Sequence, residues 1–143
     1  MRWIGGDAAG TDAHRSYWAR PDLDYWPRVW AARALRYVWA ALAEPAVIVG
    51  LEDPAWRVRE HCCALARSQQ IAAAANRLAA LADADVEDTP RVRVAAIKAL
   101  AVVGEYEHSE ALRLALHDPE RPVRDAAEGA LLRLAERLDR PID

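Results

Sequence analysis

The chain has 143 residues, of which 53% are apolar and 29% charged, and it carries a formal net charge of −3. That length supplies one domain with one core, and the balance excludes disordered, collagen-like and membrane-spanning classes. Thirty-two alanines stand against two threonines, three serines and no phenylalanine, a mixture that favours helices over strands, and nine of the ten aromatics fall within the first 56 residues.

In chain order, residues 1–24 predict an irregular N-terminal arm or cap carrying Trp3, Ile4, Tyr17 and Trp18. Its opening, Met1-Arg2-Trp3-Ile4-Gly5-Gly6-Asp7, has no apolar stretch of signal-peptide length, and no later segment approaches the ~20 apolar residues of a membrane span, so a cytoplasmic protein is expected. Gly5-Gly6-Asp7-Ala8-Ala9-Gly10 has the glycine spacing of a phosphate-binding loop, but it lacks the lysine and follows no strand. A first long helix begins near residue 25. Its core direction is read from Ala31, Ala34, Leu35, Val38 and Leu42, which places Trp26, Trp30, Arg33 and Tyr37 on another strip, roughly 100–160° away. Short amphipathic stretches follow at Glu44–Leu51, at Ile71–Ala82 and at Ala111–Leu116. A last helix over about residues 120–139 turns Val123, Ala127, Ala130, Leu131, Leu134 and Leu138 inward, and Arg133, Glu136, Arg137 and Arg140 outward.

The long helices share a framework. Arg28, Arg59, Arg93 and Arg124 recur at spacings of 31, 34 and 31 residues. Three positions after each arginine stands a small residue, at Ala31, Cys62, Ala96 and Ala127, and apolar residues stand six and seven positions after it. Asp53-Pro54, Thr89-Pro90 and Asp118-Pro119 precede three of the four, where Asp or Thr caps a helix and Pro fits its first turn. The repeated arginines are expected to bond aspartates or carbonyls of adjacent turns, with ligand binding as the alternative.

These residues, over about 25 to 139, carry a resemblance to the HEAT repeat family, in particular to the short HEAT-like repeats of phycobilisome lyases. The resemblance implies an all-α fold, an α-solenoid of about three and a half HEAT-like helix pairs occupying residues 25–143. Such a fold implies a non-catalytic scaffold or adaptor that presents a surface to another protein. Alternatives are a lyase-like enzyme or chaperone holding a small ligand, and a binder of nucleic-acid lesions like the HEAT-like DNA glycosylases. Trp26, Trp30, Arg33 and Tyr37, with Trp18 of the arm, are the candidate partner-binding residues, because aromatics mixed with arginine dominate interface hot spots. The favoured structural reading of the same strip is a surface that residues 1–24 fold back to cover, and a contact between copies of the chain at its aromatic end is a further alternative.

Other chemistry has thinner support. Counted by halves, residues 1–77 carry ten basic and eight acidic groups and residues 78–143 carry nine and fourteen, which argues against tight nucleic-acid binding. Arg28, Arg33 and Arg36 beside the tryptophans are the remaining footprint for it. Glu105-x-x-His108 is a single Glu-x-x-His unit where di-iron sites need two, so it reads as acidic residues favouring a helix N-terminus. Ser16 and Ser68 have no histidine and acid in triad spacing, and Ser109 has only the adjacent His108. Cys62 and Cys63 read as a reduced, buried packing pair rather than a disulfide or a nucleophile. No metal or cofactor is expected.

Overall fold

The computed structural model describes residues 24–142. Among them are seven helices and no strands: α1 Trp26–Ala34, α2 Glu44–Gly50, α3 Trp56–Ser68, α4 Ala75–Leu81, α5 Pro90–Val103, α6 Ser109–Ala115 and α7 Arg121–Leu138. Short α2, α4 and α6 alternate with longer helices, and a single 3₁₀ turn, at Ala41–Ala43, Ala72–Ala74 and Tyr106–His108, leads into each. Left-handed residues stop two of the long helices. Beyond α3 the chain passes through Gln70 at φ 53°, and the Ile71 N–H returns to Ala66 O at 2.9 Å. Beyond α7 it passes through Asp139 at φ 48°, and the Arg140 N–H returns to Ala135 O at 3.1 Å.

The first helix corrects its expected extent. α1 ends at Ala34, where Arg36, Tyr37 and Val38 N–H groups close a turn onto Arg33 and Ala34 carbonyls. Val38 and Leu42 are 77% and 92% exposed rather than in the core, and Ala34 is exposed as well. The inward face is instead Val29, Ala31 and Ala32, with Leu35 packed at its edge. Tyr37-Val38-Trp39 is a run of aromatic and β-branched residues that lose rotamer freedom in a helix, so nothing local extends α1 across it.

Each long helix packs on the next, α1 on α3, α3 on α5 and α5 on α7. Each short helix packs on the long helix that follows it. One core results, from Val29 and Ala32 through Val47, Leu65, Leu78, Ile97, Leu100 and Leu112 to Leu134. The small residues after the repeated arginines, Ala31, Cys62, Ala96 and Ala127, are all buried, which lets backbones approach closely. Gly50 on α2 is packed so tightly that an added Cβ would lie 2.5 Å from Cys62 Sγ. Gly50→Ala is therefore expected to cost about 1–3 kcal/mol in urea unfolding through overpacking. Cys62→Ala in the same chain should recover most of that loss, because the two sites share one contact. Both cysteines are free and buried; burial, with Asp53 adding to it, pushes the Cys62 thiol up to about 12 and holds it protonated.

The repeated arginines stitch successive units together. Arg28 Nε donates to Asp53 Oδ2 at 2.7 Å. Arg59 grips Glu87 with two bonds of 2.5 and 2.8 Å, and Arg93 grips Asp118 with two of 2.8 and 3.1 Å. Each of the later three also donates to a main-chain oxygen six residues before it: Arg59 to Asp53 at 2.7 Å, Arg93 to Glu87 at 2.7 Å and Arg124 to Asp118 at 2.7 Å. Asp53, Glu87 and Asp118 complete their sets by accepting the N–H of Ala55, Thr89 and Glu120, each at 2.8 Å. One acid per turn thus binds the arginine of the preceding unit through its side chain and that of its own unit through its carbonyl. The expected bonding of the arginines to acids and carbonyls is what the structure shows, with Glu87 in place of an aspartate in one turn. The expected caps are corrected: Asp53-Pro54 and Asp118-Pro119 lie before the cap residues Ala55 and Glu120, and of these three prolines only Pro90 sits in a first turn. Thr89 makes no side-chain cap, and Glu87, two residues earlier, does the work that Asp53 and Asp118 do elsewhere.

Glu87 is 1% exposed. Burial pushes its carboxyl up, but the Arg59 and Thr89 hydrogen bonds and the Arg59 charge outweigh this and hold it below the ordinary value of 4.5. A carboxyl lowered on folding contributes stability that is fully present above the unfolded value and is lost as pH falls through the folded one. Urea midpoints of the wild type should therefore fall with pH below about 4.5. Glu87→Gln should start lower at neutral pH and depend less on acid.

Candidate functional site

The N-terminal ends of α1, α3 and α5 form an edge where rings and guanidinium groups alternate. Tyr25 and Trp26 stack at 5.2 Å between centroids. Arg57 lies 5.6 Å from the Trp26 ring and 4.4 Å from that of Trp56, and its Nη1 donates to the Tyr25 hydroxyl at 3.4 Å. Arg91 also lies over the Trp56 ring, at 5.5 Å, and pairs with Glu60 at 3.0 Å. Contacts of this kind contribute about 0.5–1 kcal/mol each at exposed sites and hold flat, hydrogen-bonding surfaces in place.

This arrangement divides the predicted strip. Trp26 is half-buried against the core and belongs to the stacked edge. Trp30 and Tyr37 are 63% and 79% exposed, and Arg33 is exposed beside them, although Tyr37 lies beyond the helix rather than on its continuation. Trp18 and the expected arm lie outside the described residues. Trp56, Arg57 and Arg91 are the residues that the sequence reading missed. Trp56 and Arg57 start the second long helix as Trp26 does the first, a similarity of position visible in the sequence.

Along the outer side of the long helices two clefts adjoin. One, of ≈ 330 Å³, lies between α3 and α5 and is lined by Arg36, Glu60, Arg67 and Lys98 among others. The second, of ≈ 310 Å³, lies between α5 and α7 and shares Arg67 and Lys98 while adding Asp125 and Arg133. Burial sets the His61 imidazole in the first cleft below its usual 6.5; Glu60 opposes this, and Arg36, Arg33 and Arg91 reinforce it. On the short helices both arginines are paired, Arg77 of α4 with Glu52 at 2.7 Å and Arg113 of α6 with Glu110 at 3.1 Å.

Glu105 and His108 form a capping box rather than a metal unit. His108 Nδ1 accepts the Glu105 N–H at 2.9 Å, so Nε2 carries the proton and donates to Asn76 Oδ1 at 3.0 Å. Ser109 Oγ accepts from Arg113 Nη1 at 3.3 Å and Ser68 Oγ donates to Leu65 O at 3.3 Å. Among the described residues no three His, Cys, Asp or Glu side chains are placed to hold a metal ion, and no helix is long and apolar enough to cross a membrane. Compared with known proteins, the chain matches no family model and shows no significant match to a curated protein.

Proposed function

We propose that this chain is a non-catalytic protein-interaction scaffold or adaptor, an α-solenoid of about three and a half HEAT-like helix pairs. Support for the architecture comes from the recurrence of one unit: long helix on long helix, an acid in each intervening turn, and the same arginine bond to the carbonyl six residues back. Elements that repeat a packing rule in this way join their apolar faces into one elongated core and leave extended surface for partners. A fold alone does not fix a function; the exposed surface does.

The observation that carries the reading is the exposure of Trp30, Arg33 and Tyr37 beside the ordered edge of Tyr25, Trp26, Trp56 and Arg57. Large aromatics and arginines set on rigid helices are the residues that interfaces use as anchors. Trp30→Ala/Tyr37→Ala tests it, because both side chains can be removed without opening the core. The variant is expected to keep its circular dichroism spectrum and lose a specific protein captured by the wild type. A folded variant that captures the same protein equally well would refute the reading.

A further inference from the structure

We propose that the outer face of the long helices is a docking groove for an acidic helical segment of another protein. The proposal rests on the scaffold reading and adds the chemistry of the partner. Its basis is a set of cations left unneutralised. Arg28, Arg59 and Arg93 are consumed by the carboxylates between units, whereas Arg36, Arg67, Lys98 and Arg133 have no acidic partner within ion-pair distance among the described residues. They come one each from the segment after α1, from α3, from α5 and from α7, and the two adjoining clefts share the middle pair. At roughly 8–10 Å between packed helices the four cover about 30 Å, the length of a helix of about 20 residues.

The floor favours a protein over a nucleic acid. Between the cations the clefts are lined mainly by small residues, Ala64, Ala95, Ala126 and Gly129 among them, with Val94 the one larger aliphatic, and a Cβ added at Gly129 would meet nothing within 4 Å. Small side chains let a partner helix lie close, with its apolar flank down and its carboxylates reaching the cations at the walls. Glu60 and Asp125 interrupt the row and would repel a continuous phosphate chain, while a helix can place its acids to avoid them. About four phosphate contacts would also supply only a weak counterion-release term.

Fluorescence anisotropy tests this with a labelled peptide of about 20 residues, helical, with glutamates on one face and alanine and leucine on the other. The wild type is expected to bind it, and Arg67→Glu/Lys98→Glu to weaken binding by more than about tenfold. Arg77→Glu/Arg140→Glu makes the same change in net charge away from the groove and should stay within about twofold of wild type. Gly129→Leu, at an exposed helical site that tolerates a side chain, should weaken the peptide by filling the floor. No binding by the wild type, equal losses in the two charge-reversed variants, unchanged binding by Gly129→Leu, or tighter binding of duplex DNA than of the peptide would each overturn the proposal. If binding is lost in Trp30→Ala/Tyr37→Ala but kept in Arg67→Glu/Lys98→Glu, the groove is refuted while the scaffold reading stands.

Discussion

Arg93→Ala is expected to lower the unfolding free energy by about 3–5 kcal/mol, the range for breaking a buried ion pair by removing one partner. Arg93 and Asp118 have side chains only 4% and 2% exposed, and Arg93 also donates to the Glu87 carbonyl. Alanine would leave the Asp118 carboxylate buried without its counter-charge and the carbonyl without its donor. The ladder grades the effect. Arg59 is 17% exposed and Arg28 33%, so water replaces more of what those side chains supply. Losses should fall in the order Arg93→Ala, Arg59→Ala, Arg28→Ala, with the last near about 1 kcal/mol. Urea unfolding of the three variants checks the order, and a common value for all three would contradict graded burial along the chain.

Leu134→Ala is expected to cost about 2–5 kcal/mol, while Leu132→Ala in the same helix stays within about 0.5 kcal/mol of wild type. Leu134 is fully buried where α7 closes onto α5 and α6, and Leu132 is 69% exposed. Two leucines two residues apart thus report which face of α7 completes the core. Equal losses would mean that α7 is set in another register.

That register was readable from sequence. The stripe through Val123, Ala127, Ala130 and Leu134 keeps helical spacing over about three turns without interruption, and all four residues are buried. The arginine spacing was readable for the same reason, since a repeated contact demands a repeated residue. The carboxylates answering those arginines were harder to see. Asp53 and Asp118 directly precede prolines, whereas Glu87 stands before Asp88-Thr89-Pro90, so alignment on proline selects Thr89 and only alignment six residues before arginine selects all three. The extent of α1 was not legible. No glycine or proline marks the turn at Arg36–Val38, and the helical spacing of Val38 and Leu42 runs past the point where tertiary packing ends the helix.

The candidate surface was legible only in part. Trp30, Arg33 and Tyr37 stand out by residue type, but the stacked edge of Trp26, Arg57 and Trp56 depends on contacts between residues about thirty apart. Charge counting by halves concealed the outer groove for a related reason. Arg28 and Arg59 in the more basic half are neutralised by the ladder, and Arg133 in the acidic half is not, so net charge per segment does not report which cations face solvent unpaired.

The chain carries two sets of cations with separate roles: framework arginines that hold units together, and outer cations that the fold does not use. Urea unfolding of Arg67→Ala/Lys98→Ala/Arg133→Ala beside Arg93→Ala tests that division most directly. The triple variant is predicted to unfold at the wild-type midpoint, because none of the three side chains has an ion-pair partner among the described residues, while Arg93→Ala unfolds at a much lower one. A triple variant as destabilised as Arg93→Ala would show that the outer cations also support the fold, and would contradict their assignment to a partner.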